Sequence, residues 1–133
     1  MTLSRGQRTL GGMTTKDIGQ KLVDLCKAGK NHEAMKSLYA DDIVSVEAGA
    51  PPGRSAETHG VAACLAKSEQ WVATTEVHSN KVDGPFPLGD RFAVVFEMDI
   101  TRRPENRRFV MKEVALYTVK NDKIVREEFF YST

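Results

Sequence analysis

Long apolar runs are missing from this 133-residue chain. No segment approaches the ~18 consecutive apolar residues that a membrane-crossing helix needs, and the N-terminus lacks the apolar core of a signal peptide. A soluble, cytoplasmic protein is the expectation. An excess of one charge is missing too: nineteen Lys and Arg face eighteen Asp and Glu, for a net charge of +1. That balance gives no electrostatic footprint for nucleic acid and no polybasic patch for a membrane surface, so neither is expected as a partner. Cysteine is scarce. Cys26 and Cys64 both fall in predicted helices among apolar neighbours, where small buried thiols are the expectation and a disulfide is the alternative. Three scattered histidines, with no His-x-His pair and no cysteine cluster, give a metal site little support. The glycines serve turns rather than a phosphate loop, so no cofactor is expected. The length fits one domain able to bury a core without disulfide or metal staples.

The chain divides simply. Residues 1–12 are polar, glycine-rich and aperiodic, reading as a flexible arm or as an upstream start ahead of Met13. Residues 13–133 form the folded domain. Thr14 or Thr15 caps a first helix whose Ile18, Leu22, Leu25 and Cys26 make a core-facing stripe, and Ala28 and Gly29 end it. Asn31 caps a second helix with Ala34, Met35, Leu38 and Tyr39 on its apolar side. A short strand follows over 43–47, then a Pro- and Gly-bearing loop over 49–55. Thr58 is placed to cap a third helix over about 60–71 that packs through Val61, Leu65 and Trp71. From residue 74 onward the chain is strand: 75–82, a turn at 83–90, 91–101, a charged hairpin loop, and a final hairpin over 107–131. Three helices and a short strand, then a four-strand meander, is an α+β arrangement.

The final hairpin carries apolar residues on both faces. Such a pair meets helices on one side and, by expectation, a second subunit on the other. Glu113 sits mid-strand within it, and Glu127 and Glu128 crowd the return strand. Carboxylates in a covered strand need a reason, and the polar end of a pocket supplies one.

The stretches LYADDIVSVEA at 38–48, ETHG at 57–60 and NDKIVREEFFY at 121–131 give the chain a resemblance to the SnoaL-like branch of the nuclear transport factor 2-like superfamily, to which ketosteroid isomerase and scytalone dehydratase also belong. The resemblance covers about residues 14–131. It implies a cone-shaped, curved antiparallel sheet wrapped around N-terminal helices and a homodimer through the outer sheet face. It does not fix an activity, because the superfamily hosts isomerases, cyclases, dehydratases, hydrolases and non-enzymes.

An ungapped match to ketosteroid isomerase places Glu47 where that family keeps its general-base aspartate; a surface glutamate at a strand end is the plain alternative. Alternation puts Met111, Glu113, Ala115 and Tyr117 on one strand face, and the family's oxyanion-hole acid aligns with Ala115. Glu113 is then a pocket carboxyl two residues away, or else the partner of a basic residue such as Arg126. Tyr117 and Tyr131 can add phenolic donors or simply fill the core. The family's catalytic tyrosine has no counterpart near Leu22 and Val23, which argues against steroid isomerisation. His78 is a candidate base by its ordinary pKa, although a shared face with Glu76 and Asn80 favours an exposed polar surface. Trp71, Val94, Phe96 and Met98 form an apolar wall, joined by Tyr39 and Tyr131 as candidate ligand contacts. Glu97 and Asp99 should point outward, and the arginines at 102, 103, 107 and 108 read as a solvated hairpin tip.

Two functions fit. One is an enzyme running cofactor-free acid–base chemistry on a small, largely apolar carbonyl or hydroxy compound, with Glu47 and Glu113 as proton carriers and Tyr117 or His78 as helper. The other is a small-ligand-binding or dimeric scaffold module without turnover.

Overall fold

The structure, a computed structural model, describes residues 12–132. The expected arm at residues 1–12 therefore lies outside the described residues except for Gly12. Helix α1 spans Thr15–Lys27 and α2 spans Asn31–Leu38. Strands β1 (Tyr39–Val46) and β2 (Glu57–His59) precede α3 (Val61–Thr74). Strands β3 (Thr75–Leu88), β4 (Arg91–Arg102), β5 (Arg107–Lys120) and β6 (Lys123–Phe130) complete the chain.

Helix α1 starts where its capping chemistry dictates. The Thr14 hydroxyl accepts from the Asp17 amide, and the Asp17 carboxylate accepts from the Thr14 amide, so two orphan donors are satisfied reciprocally. Ile18, Leu22, Val23 and Cys26 of α1 are buried. The helix lies so close to the sheet that a Cβ on Gly19 would sit 2.8 Å from the Pro85 side chain and 3.1 Å from Phe92; only glycine allows that approach.

The six strands form one curved, unclosed sheet in the order β2-β1-β6-β5-β4-β3. Neighbours are antiparallel except β1 and β6, which run parallel. The α+β cone is thus present, with one parallel pair inside an otherwise antiparallel sheet. Asn121 and Asp122, both at positive φ, close the β5–β6 hairpin, as such residues do in tight primed turns. The core lies between α1 and the inner sheet face, where Phe92 and Tyr117 stack with ring centroids 4.9 Å apart.

Several local expectations are corrected. Segment 83–88 is strand rather than turn: Phe86, Pro87 and Leu88 pair with β4 after an irregularity that follows Asp83. The packing of Pro85 under α1 offsets its weak strand propensity. Thr58 does not cap α3. It lies in β2, paired with Ser45, and Gly60 at φ 91° precedes the helix instead. Residue Asn31 is the first residue of α2 rather than its cap. Tyr39 opens β1 rather than closing α2, because its side chain is buried against β6. Cys26 and Cys64 are buried free thiols, and burial pushes the Cys26 thiol up to about 12, with the Glu127 charge adding to it. Among the described residues no helix is long and apolar enough to cross a membrane.

Candidate active site

The inner face of the cone and the three helices line a cavity of about 950 Å³ that opens to solvent, within the size range of small-molecule sites. Strand alternation aims the side chains into it. Along β5, Phe109, Met111, Glu113 and Tyr117 point inward; β4 contributes Phe96 and Met98, and α3 contributes Cys64, Lys67 and Trp71. Most of this wall is apolar. Its carboxyl groups, its phenols and Lys67 gather in one region.

Glu113 faces Phe96 across the β4–β5 ladder and has no hydrogen-bond or ion-pair partner among the described residues. Burial raises its carboxyl to about 7, and the charges of Glu47 and Glu127 push the same way. Its neutral and ionised forms are then both populated at neutral pH.

Glu127 is 2% exposed and lies opposite Tyr117 on β5 and Ser45 on β1. The Tyr39 hydroxyl donates to its carboxylate. Burial raises its pKa, while the hydrogen bonds from Tyr39 and Ser45 hold it down. Tyr39 and Tyr117 are themselves raised well above the ordinary phenol value, first by burial and then by the Glu127 charge, so both keep their protons. The Tyr117 hydroxyl makes no hydrogen bond to any described residue.

Lys67 joins the third carboxylate, Glu47, to Ser45. Its ammonium lies 3.0 Å from Glu47 Oε2 and 3.2 Å from Ser45 Oγ. Glu47 Oε1 accepts from the Tyr131 hydroxyl at 2.9 Å, and Tyr131 is raised to about 12 by burial and by that bond. Two of the three lysine N–H groups are used, leaving one for a ligand.

The structure therefore brings Glu47, Glu113, Tyr117, Tyr131, Tyr39, Trp71, Phe96 and Met98 to one cavity. Two candidates are corrected. His78 lies on the outer surface, where its Nε2 is 2.7 Å from Thr101 Oγ1 and its Nδ1 is 3.6 Å from Glu76. A bulge between Val77 and Ser79 breaks the alternation, so His78 points outward while Asn80 donates to the Cys26 carbonyl of α1. Val94 is fully buried and packs in the core below the cavity rather than against it. Arg126 does not pair with Glu113; its nearest carboxylate is Glu128, at 3.5 Å. Glu97 and Asp99 point outward, paired with Lys112 and Arg108.

Of the two return-strand carboxylates expected at the polar end of a pocket, Glu127 reaches the cavity, whereas Glu128 is not among its lining residues and lies 3.5 Å from Arg126. Glu127 shares strand parity with Phe129 and Tyr131. Lys67 was not singled out from the sequence, although a signal existed: it lies on the Cys64–Trp71 stripe of α3. Among the described residues no group of three His, Cys, Asp or Glu could hold a metal ion.

The SnoaL-like domain family matches residues 13–131. The chain belongs to this family. A structure from Mesorhizobium loti provisionally described as a SnoaL-like polyketide cyclase is 43% identical, with 90% of this chain and all of that one covered and a TM-score of 0.85. The fold alone is shared with an NTF2-like protein from Burkholderia xenovorans (20% identity, 90% and 89% coverage, TM-score 0.72). It is shared also with a cystatin-like protein of unknown function from Xanthomonas campestris (19% identity, 91% and 92% coverage, TM-score 0.73). No curated protein matches the chain.

Proposed function

We propose that this SnoaL-like domain carries out cofactor-free acid–base chemistry, of isomerase, cyclase or dehydratase type, on a small, largely apolar carbonyl or hydroxy compound held in the cone. The observation that carries the proposal is Glu113: a carboxyl with no hydrogen-bond or ion-pair partner among the described residues, in a cavity of about 950 Å³, whose pKa burial raises to about 7. A base is most effective when its pKa lies near the working pH. The apolar wall excludes water and orients the ligand, and a carboxylate in that setting can take a proton from carbon and return it.

In the mechanism, the ionised Glu113 accepts a proton from the carbon next to the carbonyl. Negative charge then develops on the carbonyl oxygen, and the unused N–H of Lys67 stabilises it. Glu47 and Ser45 hold Lys67 in place. Protonated Glu113 returns the proton to a different carbon in an isomerisation, or to a leaving hydroxyl in a dehydration. The Tyr117 hydroxyl, deeper in the cone, positions a polar group of the ligand. The provisional polyketide cyclase name of the Mesorhizobium loti structure supports a polycyclic or chain-like ketone as the substrate type.

The test uses 6-propionyl-2-(dimethylamino)naphthalene, an apolar ketone of suitable size. Incubated with the protein in D₂O, its protons next to the carbonyl should exchange faster than in buffer, with a rate that rises to a plateau above about pH 7. Glu113→Gln should cut that exchange by about 100-fold or more. Equal exchange by the wild type and the variant would remove Glu113 from the chemistry.

We also propose that the protein pairs with a second copy through the outer sheet face. Val95, Val114 and Phe130 are aligned across three strands there, with Val114 and Phe130 exposed. Covering this band removes apolar surface from water.

A further inference from the structure

The four arginines around the β4–β5 hairpin divide by the face they occupy. On the outer side, Arg103 bonds Glu76 and Asn106, and Arg108 holds Asp99 through two hydrogen bonds of 3.0 and 2.9 Å. On the inner side, Arg102 and Arg107 line the mouth of the cavity and face each other as direct cross-strand partners. Neither has a carboxylate partner among the described residues. Arg107 lies only over the Phe109 ring, 4.8 Å from its centroid. Like charges directly opposite on a strand pair repel, so this placement is unfavourable unless something anionic is shared between them.

We propose that Arg102 and Arg107 form an anion clamp at the cavity mouth, and that the ligand carries a carboxylate or a phosphate at the end remote from its reactive carbonyl. The clamp rests on the acid–base reading of the same cavity. Guanidinium groups suit such oxyanions because they offer planar, paired donors. Spacing sets the ligand's length. Arg107 and Glu113 are six residues apart on β5, with Phe109 and Met111 between them on the same face, which is about 20 Å of strand at most. After the reach of both side chains is subtracted, the ligand is an elongated, apolar, two- or three-ring compound, or a chain of similar length. Its carbonyl lies at Glu113 and its anion at the rim.

Three fluorescent ketones test this: 6-propionyl-2-(dimethylamino)naphthalene, and two derivatives carrying a carboxymethyl or a phosphoethyl group on the amine nitrogen. The clamp predicts that at least one charged ketone binds about ten-fold or more tightly than the neutral one, and that the advantage shrinks in high salt. The better of the two anions identifies the natural class. Arg102→Gln and Arg107→Gln should each erase the advantage while leaving the neutral ketone's affinity unchanged. Arg102→Lys and Arg107→Lys should retain part of it. Equal binding of charged and neutral ketones overturns the clamp alone, as do variants that weaken all three ketones equally. If none of the three binds, the cavity reading fails and the clamp with it.

Discussion

Glu113 lies directly opposite Phe96 in the β4–β5 register, so its carboxyl is held against a side chain that can offer it no hydrogen bond. This explains why burial, rather than a specific partner, governs its proton. It also sets a pH dependence for the whole fold.

In the unfolded chain Glu113 should titrate near the ordinary ~4.3, against about 7 in the folded state. The folded state therefore binds more protons between those values, and the contribution of Glu113 to stability falls as pH rises from about 4.5 to about 7. The loss is complete above the folded pKa. Glu113→Gln should be more stable than wild type at pH 8, by on the order of 2–3 kcal/mol, and nearly equal to it at pH 4. Urea denaturation of both proteins at the two pH values measures the difference. A difference that does not change with pH would show that Glu113 titrates normally.

Tyr39 donates to Glu127, and that bond favours the ionised carboxylate. Tyr39→Phe should destabilise the protein by about 1–3 kcal/mol. The cost should be greater at pH 8 than at pH 5, because the donor matters most to the charged form. Denaturation curves at both pH values decide it; a cost that is the same at both would point to lost packing alone.

His78 lies on the outer surface with Glu76 and Thr101. His78→Ala should shift stability by no more than about 0.5 kcal/mol and leave ketone exchange at its wild-type rate. A large drop in exchange would place this histidine in the chemistry after all.

The outer apolar band predicts a dimer at micromolar concentration, and Val114→Glu or Phe130→Glu should convert it to monomer by placing charge where the copies meet. Sedimentation velocity reads both results. A monomeric wild type would remove the proposed interface.

Elements that depend on local chemistry were readable in the sequence. The Thr14 cap, the α1 stripe, β4 and the inward set of β5 follow from capping and alternation, which need only neighbours in the chain. Irregularities were not readable. The bulge between Val77 and Ser79 sends His78 and Asn80 to opposite faces, and no residue type there announces it. Segment 83–88 carries Gly84, Pro85 and Pro87 yet stays in the sheet, because α1 packs against it at Gly19. That contact joins residues far apart in sequence. The partnering of Lys67 with Glu47 likewise depends on how α3 lies across β1, which periodicity within α3 does not specify.

The most direct test of the account is the titration of the Glu113 side-chain carboxyl, followed by carbon-13 NMR with Glu113→Gln used to assign the signal. The midpoint should fall at about 7 and shift when a neutral ketone enters the cavity. A midpoint in the ordinary range near 4.3 would contradict it, because a carboxyl fully ionised at neutral pH has neither the burial nor the proton affinity that the proposed chemistry requires.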